Sequence, residues 1–314
     1  MFARGLAPRK WSGFYFDFNN MMLTGCVRRA RMAVEPIATS ASLYPSAPGI
    51  VNSMRHRLNF VQKNCVASAG KLLHQSGTLF AGARIGVAVS GGVDSAVLLE
   101  VLRQRQRILP FPIELLCFHI NPGFDFELHL KLRDWAASLG LAGVFERTEF
   151  GPRAFSEENR SNSPCFLCSS WRRTRLFDLC RQYGCTHLAL GHHADDQAVT
   201  FFMNLFDNGR VDGLAPVESF FQGRLQVIRP LLWLEKSQLR RAARAWGLPV
   251  FENPCPASKE DAQGLALSNR ARTTQWIREQ VGGDPARKAN VYNALRRHAL
   301  ARGARMPGGV VEES

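Results

Sequence analysis

Gly86-Val87-Ala88-Val89-Ser90-Gly91-Gly92-Val93-Asp94-Ser95 is a short apolar run that stops at a Ser-Gly-Gly turn and passes at once into an apolar helical pattern. Strand, glycine turn and helix start are the parts of a phosphate cradle. Glycines let backbone N–H groups approach an anion closely, and a helix N-terminus favours negative charge. Ser90, Gly91, Gly92 and Ser95 are therefore candidate nucleotide contacts. Asp94 is an acid beside them that a metal ion could bridge to phosphate. The spacing is neither the Walker pattern, which needs a Gly-Lys-Ser/Thr, nor Gly-x-Gly-x-x-Gly. An ordinary βα turn with a capping serine is the competing reading.

Outward from this turn, strands and helices alternate. Ile85–Val89 reads as a strand with a helix over about 96–106; Ile113–His119 as a second strand with a helix over about 126–139; Val144–Thr148 as a third. A polar loop is expected over 151–163, then a helix from Phe166 to Tyr183, a strand His187–Leu190 and a helix from Ala194 to Phe206. An earlier helix follows Met54, with Leu58, Val61, Cys65, Ala69 and Leu72 at helical steps. This alternation predicts an α/β fold, a doubly wound parallel sheet with helices on both faces. Ligands of such sheets sit at the carboxyl ends of the strands, where Ser90, His119 and Gly191 all fall.

The chain of 314 residues divides into four stretches. Residues 1–53 hold six basic and two acidic side chains and a loose Ser/Pro/Ala tract, and read as a disordered arm, a transit peptide or a start assigned too early, the last being favoured. Residues 54–230 form the nucleotide-binding domain. Residues 231–306 are helical and basic, with helices expected over 235–246, 263–281 and 285–302. Residues 307–314 are a tail.

Forty Lys and Arg against 26 Asp and Glu give a net charge of +14. Such a surplus suits a polyanion such as RNA. From Arg270 to Met306 nine basic residues face two acids, an RNA-contacting tail or a solvated face. No apolar run approaches the length of a membrane span, and the protein is expected in the cytoplasm.

Eight cysteines without a convincing secretory signal point to metal or redox chemistry more than to disulfides. Cys165-Phe-Leu-Cys168 puts two thiols one helical turn apart at a helix start, near Arg172 and Arg173. Cys255, in a proline-stiffened loop, is the best third ligand, whereas Cys117, Cys180 and Cys185 read as structural. Spacing alone leaves zinc, a redox pair and an iron–sulfur cluster open. In His192-His193-Ala194-Asp195-Asp196 the acids complement a helix dipole. Asp196 is also a candidate catalytic acid, and His192 and His119 are candidate nucleotide contacts.

The Ser90–Ser95 loop resembles the Ser-Gly-Gly-x-Asp-Ser signature of the PP-loop ATP pyrophosphatases. Cys165-x-x-Cys168 with Arg172-Arg173, Leu190–Asp196, Phe202–Phe206, Val227–Leu231 and Pro254-Cys255 then follow in order, and from about Met54 to Ile277 the series resembles the tRNA 2-thiocytidine synthetases. The resemblance implies ATP bound on the loop; in the mechanism read onto it, Asp94 partly holds Mg²⁺, and Asp196, placed at a strand's carboxyl end, acts in catalysis. It implies a [4Fe-4S] cluster on Cys165, Cys168 and Cys255, with zinc the less favoured occupant. Arg172 and Arg173 would contact tRNA. A sulfur donor such as a cysteine desulfurase is expected, no membrane, and a homodimer is left open. Val93 stands where many of these thiolases have lysine, Ser258 where many have a further cysteine, and Val199 where Gln or Glu often precedes Thr200. A tRNA-Ile lysidine synthetase-like ligase, which adenylates cytidine without metal-binding cysteines, and a non-catalytic RNA-binding or redox-sensing relative are the competing functions.

Overall fold

The computed structural model describes Tyr44 and residues 57–159, 163–252, 255–256 and 268–303. The readings of residues 1–53 other than Tyr44, of Pro254 and Ser258, of the first residues of the 263–281 helix and of the 307–314 tail lie outside them.

Six strands, β1 (Ala83–Ala88), β2 (Ile113–Asn121), β3 (Gly143–Arg147), β4 (His187–Ala189), β5 (Val217–Phe220) and β6 (Leu225–Ile228), form one sheet in the order β3-β2-β1-β4-β6-β5. The first four and β6 run parallel, and β5 is an antiparallel edge paired with β6. The sheet is therefore mixed, not wholly parallel, and the β5–β6 hairpin was missed. Its turn takes Phe221, Gln222 and Gly223 all to positive φ, and only Gly223 is a residue that signals such a turn. Tyr44 makes an antiparallel bridge to Gly143 beside the β3 edge.

The helices are α1 (Phe60–Ser76), α2 (Val93–Ile108), α3 (Leu128–Ser138), α4 (Phe150–Phe155), α5 (Pro164–Gln182), α6 (Ala194–Asn208), α7 (Lys236–Trp246), α8 (Asn269–Val281) and α9 (Pro285–Gly303). The stretch expected as a plain loop over 151–163 thus holds the short α4. The local signals are visible in the caps. Asn59 and Gln62 make a reciprocal capping box on α1, and Ser163 accepts from the Phe166 N–H with Pro164 next to it at the start of α5.

Period-two alternation along β2 sorts the core. Ile113, Leu115 and Cys117 face one layer with α1, α2, α3 and α7; Leu116, Phe118 and Ile120 face the other with α5. The first core continues past residue 230, because Leu231, Leu234, Leu239 and Ala242 of the α7 region are buried in it. A smaller cluster joins α6 to α8 and α9 through Ala198, Val199, Ile277 and Leu295. Val199 is thereby explained: it is a core residue on the α6 face that meets the C-terminal helices. Val93 likewise packs against the first core. Among the described residues no helix is long and apolar enough to cross a membrane.

Candidate active site: an anion cradle beside three thiols

The chain order reverses between β1 and β4, and the crevice at their carboxyl ends is where such sheets bind ligands. The Ser90–Ser95 turn sits there. Gly91 has φ +88°, and a Cβ on it would lie 3.2 Å from Leu128. Gly92 caps α2 without a side-chain hydrogen bond, so the first N–H groups of the helix keep their capacity for an anion. Ser95 works from inside. Its buried hydroxyl donates to Gly92 O at 3.0 Å and accepts from the Ser90 N–H at 3.0 Å, bracing the loop. Gly191 lets the end of β4 approach this turn: a Cβ there would lie 3.2–3.3 Å from backbone atoms of Asp94 and Ser95.

The histidine–aspartate turn faces the cradle. His193 is buried, with Asp94, Asp195 and Asp196 oxygens at 3.7, 3.4 and 3.3 Å. Asp196 accepts from the His193 N–H at 3.0 Å and pairs with Arg270. Asp195 accepts from the Lys236 backbone N–H at 2.8 Å and the Tyr292 hydroxyl at 3.0 Å. Burial alone would raise both carboxyls. For Asp195 the adjacent His193 ring and the hydrogen bonds from Lys236 and Tyr292 win, and for Asp196 the neighbouring His193 and the Arg270 charge win, so both lie below the ordinary carboxylate range. His192 accepts from Arg229 Nε at 3.2 Å on its Nδ1, and burial followed by the Arg229 charge pushes it down to about 3. At neutral pH it is therefore an uncharged imidazole.

His119 bridges the ends of β2 and β1. Its Nδ1 lies 2.6 Å from Val89 O, and a carbonyl only accepts, so Nδ1 carries the proton and Nε2 is left as an acceptor. Burial pushes this histidine down to about 4, with His129 and Arg172 adding to the effect. His119 Nε2, His129 Nδ1 and Arg172 Nε are all buried without hydrogen-bond partners, as is Asp94 Oδ1. A polar ligand bound in the crevice would give these atoms partners.

The thiols lie beside this crevice. Cys168 is buried at the first turn of α5, Cys165 is exposed, and Cys255 is half-buried. Burial raises Cys165 and Cys168, the charge of Cys255 raises them further, and Arg172 opposes the rise. The three sulfurs therefore share one electrostatic neighbourhood. Phe251, four residues before Cys255 in sequence, is tied to the cradle: its N–H donates to Gly91 O at 2.9 Å. Among the described residues the cysteines form no disulfide, and no three His, Cys, Asp or Glu side chains are grouped to hold a metal ion. Three thiols are one fewer than the four protein ligands that a structural zinc ion takes, and they match a cluster in which one iron is left without a protein ligand. Cys117, Cys180 and Cys185 are buried in the two core layers.

Sequence reasoning missed Lys236, Arg229, Arg270 and Tyr292. A signal existed for the first. Lys236 opens α7 where the helix dipole disfavours a cation, and no acid lies in that first turn. Its ammonium lies 2.5 Å from Asp94 Oδ2.

A glycine anion cradle at the switch point of this sheet, faced by a histidine–aspartate turn, defines a nucleotide-binding protein of the PP-loop class. The PP-loop domain model matches residues 61–260. The tRNA-cytidine(32) 2-sulfurtransferase of Syntrophotalea carbinolica is 32% identical over 232 residues, 72% of this chain and 85% of the relative. That of Alkalilimnicola ehrlichii is 32% identical over 260 residues, 80% and 77% of the two chains. Among solved structures the U34-tRNA thiolase NcsA from Methanococcus maripaludis, with its [4Fe-4S] cluster, shares the fold at a TM-score of 0.62 and 20% identity, over 81% of this chain and 85% of that one. The chain belongs to the PP-loop family and, within it, to the tRNA-cytidine(32) 2-sulfurtransferases.

Proposed function

We propose that this protein is an ATP-dependent tRNA thiolase that converts cytidine to 2-thiocytidine in the anticodon loop, at position 32 as in its named relatives. The observation that carries the reading is the Phe251–Gly91 hydrogen bond. It holds the segment leading to Cys255 against the anion cradle, so sulfur chemistry and ATP chemistry share one crevice.

ATP lies with its phosphates over Ser90, Gly91, Gly92 and the open first turn of α2. The cytosine O2 attacks the α-phosphorus; an O–P bond forms, the bond to pyrophosphate breaks, and the base becomes an adenylate. A sulfur nucleophile then adds at C2, and the C2–O bond breaks with AMP as leaving group. Asp94, with one oxygen that accepts no hydrogen bond, would hold Mg²⁺, which would neutralise the departing pyrophosphate. Cys165, Cys168 and Cys255 would hold a [4Fe-4S] cluster, which supplies an iron position not occupied by protein. His119 and His192, neutral at pH 7, line the crevice as nucleotide contacts, and Asp196 is held ionised to orient the reacting groups. Arg172 and Arg173 would hold the RNA strand, whose target base must be unpaired for C2 to be reached. The sulfur enters at the sulfide level, either as sulfide or from an external donor such as a cysteine desulfurase whose persulfide S–S bond is cleaved by a two-electron thiol reductant with release of the donor's thiol; the setting is the cytoplasm, and a homodimer is compatible with the reaction.

The test is anaerobic purification, measurement of iron and acid-labile sulfide, and an assay of ATP- and sulfide-dependent 2-thiocytidine in tRNA. Iron and sulfide with thiolation and pyrophosphate release are expected. Zinc alone, or full activity in Cys165→Ala, Cys168→Ala and Cys255→Ala, overturns the reading.

A further inference from the structure

We infer that Lys236 is a phosphate-binding residue of the ATP site, brought by α7 to supply the positive charge that the Ser90–Ser95 loop itself lacks. The inference rests on the reading of that loop as the ATP cradle.

The loop offers neutral N–H groups and one acid. Position 93 carries a valine packed against the core, so the loop has no cation of its own. Apart from Mg²⁺ on Asp94, a triphosphate meets no positive charge in this loop, only N–H dipoles. Lys236 corrects the balance from 142 residues away in sequence. Its ammonium sits on Asp94 Oδ2 at 2.5 Å, and its backbone N–H is fixed on Asp195 Oδ2 at 2.8 Å. The start of α7 is pinned as well, since the Ala194 N–H donates to Leu234 O at 2.8 Å and Leu231, Leu234 and Leu239 are buried. A rigid backbone thus carries a flexible four-carbon stem whose ammonium ends on Asp94, the acid of the cradle loop.

Stability explains this placement poorly. The pair is partly exposed, with side-chain exposures of 30% and 27%, and such pairs contribute little. The lysine also stands at a helix start, against the dipole. An ammonium has three donors, so it can keep one on Asp94 and direct the others at phosphate oxygens. Val93 is then no defect of the loop: the charge is supplied from a different element.

The experiment compares wild-type protein, Lys236→Met and Lys236→Arg for binding of ATP, pyrophosphate and adenosine by calorimetry, with pyrophosphate also measured without divalent metal. Lys236→Met is expected to weaken ATP and pyrophosphate about tenfold or more, the loss of one charge-assisted contact. Adenosine should stay within about twofold, and Lys236→Arg should recover most of the loss. If Lys236→Met weakens adenosine as much as ATP, the lysine is structural and the inference is overturned; if it changes neither, it is overturned too. Wild-type protein that binds neither ATP nor pyrophosphate removes the ATP reading of the cradle itself, a result separable from the others.

Discussion

The Phe251 N–H donates to Gly91 O at 2.9 Å, joining the segment that leads to Cys255 to the second residue of the anion cradle. This one bond couples the two halves of the site. Phe251→Pro removes the donor. Misplacing one reacting group by about an ångström can cost about a hundredfold in rate. We expect thiolation to fall on that scale while ATP affinity stays within about twofold, since the glycines and the α2 N-terminus are untouched. Parallel loss of both would place Phe251 in the cradle instead.

Gly191 makes the complementary test. A Cβ at 3.2–3.3 Å from the Asp94 and Ser95 backbone must displace the cradle, because backbone cannot rotate away as a side chain can. Gly191→Ala is expected to cost about 1–3 kcal/mol. It should raise the KM for ATP with iron content unchanged. Denaturant melts and ATP titrations check it.

His119 predicts acid sensitivity. The unfolded residue protonates near 6.5 and the folded one near 4. Between those values the unfolded chain binds more protons, so stability is full above the window and falls as pH drops through it. The loss attributable to this histidine is about 3 kcal/mol. Asp195 and Asp196, held below the ordinary range, act in the same direction, with stability lost as pH falls. His119→Gln should reduce the drop in urea midpoint between about pH 7 and about pH 4. An undiminished drop would contradict the assignment.

The cysteines should divide into two sets. Cys117, fully buried and pushed up to about 12 by burial, is a core thiol. Cys117→Ser places a hydroxyl without a ready partner in the core and should cost about 1–3 kcal/mol. Iron content should be normal. Cys168→Ala should do the reverse, with loss of iron and a modest change in melting temperature. Iron analysis and thermal melts on the same preparations separate the sets.

Arg173 should report on RNA. It is exposed on α5, and its charge reaches His192 at the site. If it meets one phosphate, Arg173→Ala lowers the slope of log affinity for tRNA against log salt by about one. An unchanged slope would remove it from the interface.

Several features were legible because they are local. The apolar run ending at Ser90-Gly91-Gly92 announced strand, turn and helix, and the Cys165/Cys168 spacing with the Pro164 start announced a thiol pair on one helical turn. The alternation of elements gave the α/β class. The edge hairpin was hard to read, because its turn holds Phe221 and Gln222 at positive φ and only Gly223 signals it. Val199 read as a departure at the site, yet packing makes it a core contact of α8 and α9.

By itself, then, the chain determined what short-range chemistry encodes: which segments are strands and helices, where an anion can be bound, and which thiols stand at a helix start. The tertiary structure decided which distant residues complete those parts. Lys236 over Asp94, Arg229 on His192, Arg270 on Asp196 and Phe251 on Gly91 are contacts between segments far apart in sequence. No periodicity or spacing records them. They exist because burial of the α7 face and closure of the β1–β4 crevice bring those backbones together, and the partners are then chosen by charge and hydrogen bonding at short range.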